Sequence, residues 1–340
     1  MKSFLSDNAS GVHSKIMEAL FQANSEHASA YGEDPLTQQA REAVASTFGC
    51  AADLVHFVIN GTGANVLCNA SGLRSFESLV TTDIAHINGT ETGSFENFSG
   101  SRIVTVPHVH GKLAIQKLDE IFSHSGDIHH SQPRMISISQ LTEIGTLYTK
   151  EEIKGIADFA HDNGCLLHVD GARISNAAVS LGISLREMIA DTEVDVLSFG
   201  GTKNGLMFGE AIICFNKDLN SRMPFMVKHG NQLLSKMRFT GAQFIAYMNE
   251  DLWKENAGNA NAMAEILKKA LMEIGYIDFC ADVQGNIVIV TLPKNVLKVL
   301  LEKELVHDVL YNNQTYCRFV TSFDTTEADI SDLINTIKKI

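Results

Sequence analysis

Ser198-Phe199-Gly200-Gly201-Thr202-Lys203-Asn204-Gly205 closes an apolar run at 194–199 with a lysine set among glycines. A lysine placed just after a buried strand is badly sited for a solvated role. Burial and cationic neighbours lower its pKa, which is what an amine that forms a Schiff base requires. The plainer alternative is a lysine on an ordinary surface turn.

Working upstream, about 33 residues separate Lys203 from Asp170 in His168-Val169-Asp170-Gly171-Ala172-Arg173. That is room for one helix and one strand, so both residues can sit at the ends of nearby strands. An acid ending a buried strand costs desolvation unless a cation meets it. Arg173 is one such cation in the sequence; a protonated pyridine nitrogen is another. Further upstream, Asn60-Gly61-Thr62-Gly63-Ala64-Asn65 follows the apolar run 55–59 and precedes a helix. Small residues there let a ligand approach the backbone, and a helix N-terminus offers free N–H groups to an anion such as phosphate. The stretch is neither a P-loop nor a G-x-G-x-x-G dinucleotide fingerprint.

These motifs lie in a regular alternation. Runs at 55–59, 78–82, 102–106, 135–140, 166–169, 194–199 and 211–215 are rich in Val, Ile and Phe. Most lack strict alternation, as expected of strands buried on both faces of a mainly parallel sheet. Between them, Thr149 with Glu152 has capping-box spacing. Ile153, Ile156, Ala157 and Ala160 form a helical stripe that Gly164 should end. The pattern is that of an α/β domain, and open α/β sheets place ligands at the carboxyl ends of their strands. After about residue 217 it turns mostly helical. Strand candidates at 286–292 and 318–323 flank a helix at 296–304, and Thr326 or Glu327 starts a last helix. We expect a large domain over 1–235, with residues 1–20 near the site, and a small α+β domain over 236–340.

Composition narrows the function. The chain has 340 residues, above the roughly 250–300 at which one core stops growing. The hydrophobic fraction is 45%, the charged fraction 20% and the net charge −13. Lys and Arg are scattered, which argues against a nucleic-acid track. The six cysteines form no C-x-x-C pair and mostly sit in apolar runs, as buried thiols of a reducing compartment do. With no leader and no apolar stretch of about 20 residues, the expectation is a cytoplasmic protein without a membrane partner.

The chain resembles the low-specificity L-threonine aldolases. The resemblance runs over nearly its whole length: Ser6-Asp7-Asn8, Tyr31-Gly32-Glu33-Asp34-Pro35, Asn60-Gly61-Thr62, Ala64-Asn65, Ala85-His86, Asp170-Gly171-Ala172-Arg173, Gly200-Gly201-Thr202-Lys203-Asn204-Gly205 and Arg318-Phe319-Val320. It implies the aspartate-aminotransferase fold (fold type I) of enzymes dependent on pyridoxal 5′-phosphate (PLP), and a lyase that splits threonine into glycine and an aldehyde. It also implies a homodimer or homotetramer with shared active sites. By resemblance, Lys203 carries PLP as a Schiff base, Asp170 meets the pyridine nitrogen, and Gly61 and Thr62 bind the phosphate. Lys228 reaches that phosphate from a neighbouring subunit. His86 stacks on the ring, and Ser6, Arg173 and Arg318 hold the substrate carboxylate. His129 sits near the β-hydroxyl, making it or His86 the base, while Tyr31 and Glu91 line the site. No metal is implied.

One departure stands out. Many members carry a Glu-Asn-Thr-His-Asn-type segment where this chain has Ser139-Gln140-Leu141-Thr142-Glu143-Ile144-Gly145-Thr146. That leaves open which side chains reach the β-hydroxyl, and with them the threo/erythro preference. The nearest rivals are transamination and β-elimination on the same fold. A non-catalytic α/β binding protein is the alternative from another class.

Overall fold

The computed structural model describes residues 2–311 and 314–340. All seven expected runs are strands of one sheet: β1 (Val55–Val58), β2 (Glu77–Thr82), β3 (Arg102–Val106), β4 (Gln132–Ser139), β5 (Leu166–Gly171), β6 (Val196–Gly200) and β7 (Glu210–Cys214). Their order is β1-β7-β6-β5-β4-β2-β3. The pairs β2–β3, β2–β4, β4–β5 and β5–β6 are parallel, while β7 runs antiparallel to both β6 and β1. This geometry gathers the chemistry at one edge of the sheet. The carboxyl ends of β1, β2, β4, β5 and β6 all point there, and antiparallel β7 begins there, with Glu210 opposite Gly200.

The crossover helices form where local signals place them. Helix Lys150–Asp162 opens on the capping box between Thr149 and Glu152, worth about 1 kcal/mol. It buries Ile153, Ile156, Ala157 and Ala160. Gly164 follows in the left-handed region at φ 67°.

A second, antiparallel sheet has the order β8-β10-β9, from β8 (Ile287–Val290), β9 (His307–Tyr311) and β10 (Gln314–Val320). Sequence reasoning missed β9, whose residues are largely exposed and carry no buried stripe. It also started β10 too late, because Gln314 to Tyr316 lack an apolar face. The last helix, Glu327–Lys338, opens on Thr326 as its cap.

The two cores do not divide at residue 235. Met237, Phe244, Tyr247, Met248, Leu252 and Trp253 pack into the core of the large sheet. The small core takes over from Met263, inside the long helix Leu252–Met272. Arg238–Met248 lies against helix Pro35–Phe48 of the large domain, which moves the division into that long helix. The N-terminal segment crosses in the other direction: Phe4 is fully buried in the small core. Its N–H donates to the Leu305 carbonyl, and its own carbonyl accepts from the Val320 N–H. No helix among the described residues is long and apolar enough to cross a membrane.

Candidate active site

The carboxyl edge of the large sheet opens into a cavity of about 680 Å³. A groove of similar size, about 720 Å³, runs between helices Ser14–Ala23 and Arg238–Met248. Only the former gathers Lys203, Asp170, Arg318 and a helix N-terminus, which makes it the candidate site.

Lys203 enters from the short turn after β6. Two glycines shape that turn. A Cβ on Gly200 would lie 2.5 Å from the Ala172 carbonyl oxygen, and Gly205 sits at φ 107°. Asn204 anchors the turn by donating to the Tyr247 hydroxyl at 2.7 Å and the Trp253 carbonyl at 2.8 Å. Burial, then the Arg173 guanidinium, holds the Lys203 amine below its ordinary pKa; Asp7, Asp170 and Glu210 pull the other way.

Asp170 ends β5 and pairs in register with Ser198 of β6. Its Oδ1 accepts from the Ala172 N–H at 3.0 Å, and its Oδ2 accepts from Asn65 Nδ2 at 2.8 Å. Burial alone would push this carboxyl up. Lys203, then His168, and the Ala172 N–H outweigh it, and the net pKa is lowered. Behind it, burial pushes the His168 imidazole down to about 4. It is fully buried between Ser137 Oγ and Ser198 Oγ, each at 2.9 Å.

Asn65 lies on helix Gly61–Ser71, which Asn60 caps by accepting from the Gly63 N–H at 2.8 Å. Gly61 and Thr62 line the cavity at its first turn, and Gly61 has nothing near where a Cβ would stand. Asn65 Nδ2 also reaches Glu91 Oε1 at 3.1 Å, and the same oxygen meets His86 Nδ1 at 2.9 Å. Asp170, Asn65, Glu91 and His86 are thus one hydrogen-bonded chain along the cavity wall. Glu91 is buried, while the His86 side chain is 44% exposed.

A family model, beta-eliminating lyase, matches residues 3–293. The chain belongs to the beta-eliminating lyase family. It is 34% identical over 340 residues to "Low specificity L-threonine aldolase" of Pseudomonas sp. (strain NCIMB 10558), covering 100% of this chain and 98% of the relative. The protein of that name from Pseudomonas aeruginosa matches with the same identity and coverage. Among solved structures, Leishmania major threonine aldolase superposes with a TM-score of 0.92 at 29% identity, covering 100% of this chain and 99% of that one. The fold is therefore that of the PLP-dependent fold type I enzymes, with the small antiparallel sheet at the C-terminal end.

In this beta-eliminating lyase family member the cavity brings together Gly61, Thr62, His86, Glu91, Asp170, Arg173, Lys203 and Arg318, all singled out from sequence. Four others lie elsewhere. Arg173 does line the cavity, but its ion pair is with Asp7 rather than Asp170. Nε donates to Asp7 Oδ2 at 2.7 Å and Nη2 to Oδ1 at 2.9 Å. Ser6 faces the N-terminal turn, where its Oγ accepts from the Asn8 N–H at 3.1 Å. Asn8 reaches the cavity instead. His129 is exposed on the loop before β4 and does not line the cavity; its N–H is tied to Asp127 Oδ1 at 2.9 Å. Lys228 and Tyr31 are also exposed and outside the lining, with the Lys228 amine 5.1 Å from the Tyr31 ring centroid.

Two cavity carboxylates were not recognised as site groups from sequence. Glu210 is buried at the start of β7 and accepts from the Gly201 N–H at 2.6 Å. Burial pushes its carboxyl up to about 7 against that bond and the pull of Lys203. Glu143 follows β4, and burial also raises its pKa. Glu210 falls beside Gly209, in what reads only as the start of an apolar strand. Glu143 falls in the segment that departs from the family pattern. An acid beginning an otherwise apolar run was the one available signal for Glu210.

Proposed function

We propose that this chain is a PLP-dependent aldehyde-lyase that splits L-threonine, L-allo-threonine and related β-hydroxy-α-amino acids into glycine and an aldehyde. One observation carries the reading: Lys203 and Asp170 face a single cavity from the ends of adjacent parallel strands. An amine of lowered pKa opposite a carboxylate kept ionised is the donor set that PLP needs. The free N–H groups of Gly61 and Thr62 complete it on the phosphate side. The relatives named low-specificity L-threonine aldolase support the choice of reaction.

Lys203 would carry the cofactor, Asp170 would face its ring nitrogen, and His86 would lie against the ring. Bound there, PLP supplies the electron sink that weakens bonds at Cα. The protein's own part is orientation. Arg318 is largely buried, and its Nε has no partner among the described residues. Burial, then the neighbouring Arg173, lowers the Arg318 pKa, while Asp7 opposes this. Asp7 neutralises one of the two guanidiniums, leaving one positive charge for a substrate carboxylate. A planar fork matches a carboxylate in two places, so Arg318 would hold the substrate in a single orientation at the cavity wall.

Lys228 and Tyr31, exposed beside each other, fit the role of completing a second chain's cavity in a homodimer or homotetramer. The cytoplasm remains the proposed location.

The test is direct. Purified protein given PLP should gain a visible absorbance that borohydride treatment removes. With L-threonine it should release glycine and acetaldehyde in equal amounts. Conversion of a keto acid to an amino acid, without aldehyde, would instead indicate transamination.

A further inference from the structure

We propose that Glu143 is the group that exchanges a proton with the substrate's β-oxygen. The proposal rests on the aldol-cleavage reading above and deepens it.

Glu143 lines the same cavity as Lys203 and Asp170, next to His86. Its own backbone N–H and two outside donors hold it. Its Oε1 accepts from Ser139 Oγ at 2.7 Å and from the His86 N–H at 2.9 Å. Oε2 takes no side-chain hydrogen bond among the described residues. No salt bridge among the described residues includes this carboxylate, so the carboxyl is positioned but not neutralised. The titratable groups that act on it by charge are Asp170 from β5 and Tyr148 from its own loop, while His86, from the turn after β2, reaches it through its backbone N–H. Burial, reinforced by the Asp170 charge, raises its pKa, and a base works best when its pKa approaches the working pH. His86 is turned by its Nδ1 contact with Glu91 and, in the reading above, is assigned to the ring face. His129 lies outside the cavity.

The step balances. The β-hydroxyl proton passes to Glu143 as the O–H bond breaks. That electron pair becomes the second bond of the aldehyde C=O. The Cα–Cβ bond breaks, and its pair stays with the glycine fragment. In synthesis, Glu143 returns the proton to the same oxygen.

The decisive variant is Glu143→Gln, whose amide oxygen keeps both hydrogen bonds but cannot take a proton. Three quantities are read on holoenzyme: the cofactor absorbance, exchange of the glycine α-hydrogen in D2O, and threonine cleavage. Glycine has no β-oxygen, so its exchange should stay within about threefold of the parent, as should cofactor absorbance. Cleavage should fall ~100-fold or more, in line with the loss of a general base. Glu143→Asp should recover part of that loss. Cleavage within threefold of the parent in Glu143→Gln overturns the proposal. So does a fall in glycine exchange equal to the fall in cleavage, which would mark a structural role. If the parent protein itself binds no PLP and yields no aldehyde, it is the proposed function that fails instead.

Discussion

Arg173 and Asp7 are joined through both arms of the guanidinium fork, at 2.7 and 2.9 Å, across 166 positions of sequence. Asp7 is 1% exposed and takes a third donor, Asn286 Nδ2, at 3.1 Å. One carboxylate thereby ties the N-terminal segment to the large sheet and to the residue that precedes β8.

Asp7→Asn keeps the shape and removes the charge. Breaking a buried pair from one side costs about 3–5 kcal/mol, so the urea midpoint should fall markedly. The pH dependence has a definite sign. Burial would raise the Asp7 pKa, but Arg173 and Lys203 lower it on balance. Its stabilisation is therefore complete above the ordinary carboxylate pKa near 4, and drains as pH falls through the lower folded value. The parent should lose stability through that acid window more steeply than Asp7→Asn. Parallel acid-denaturation curves for the two would contradict this.

Glu210 has the opposite sign. Its carboxyl is raised to about 7, so the folded state binds its proton more tightly than the unfolded chain does. Stability should decline as pH rises from about 4.5 to 7, by an order-of-magnitude 3 kcal/mol from this group. Glu210→Gln keeps an acceptor for the Gly201 N–H and should flatten that decline. Chemical denaturation at pH 5 and pH 8 provides the comparison.

Lys203→Ala should leave the fold intact, with an unchanged far-UV spectrum. It should abolish both borohydride-sensitive absorbance and aldehyde release. Aldehyde release at the parent rate would refute the central assignment.

Asn65→Ala removes a donor shared by Asp170 and Glu91, leaving two buried carboxylate oxygens short of a partner. Such a loss costs about 1–3 kcal/mol. We expect PLP affinity to weaken about tenfold or more, measured by titration of the apo-protein.

His129→Ala should change cleavage by less than about threefold, since the side chain is exposed and outside the cavity. A large loss, with cofactor absorbance retained, would mean that a neighbouring chain brings His129 to the site.

The large sheet was legible because its strands are buried on both faces. Runs such as Met135-Ile136-Ser137-Ile138 are short and rich in isoleucine, as buried strands are, and they fall within β4. Lys203, Asp170 and Gly61 were legible for a related reason. A lysine, an acid or a bare helix start at the end of an apolar run is costly unless something uses it. The partners of Arg173 were not legible, since Asp170 is three residues away and Asp7 is 166. Sequence proximity favoured the wrong acid, and only the route of the N-terminal segment reveals the right one. His129 shows the converse: a histidine beside an acid in a loop looks chemical in sequence, yet its backbone N–H, rather than its ring, makes the contact. Glu143 was hidden because the turn after β4 has no periodicity from which its direction could be read.

Phe4 joins the small core, pairing with Val320 and Leu305, while Asp7 grips Arg173 in the large one. On the ribosome, Phe4 is made long before Leu305 and Val320, the residues that seat it. A nascent chain that has not yet emitted residues 305–320 has nowhere to seat Phe4, and it lacks Arg318 altogether. The Arg318 side of the cavity is therefore added to the chain well after Lys203 and Asp170. On the proposed reading, products truncated before Arg318 would hold the cofactor without the means to orient what enters beside it.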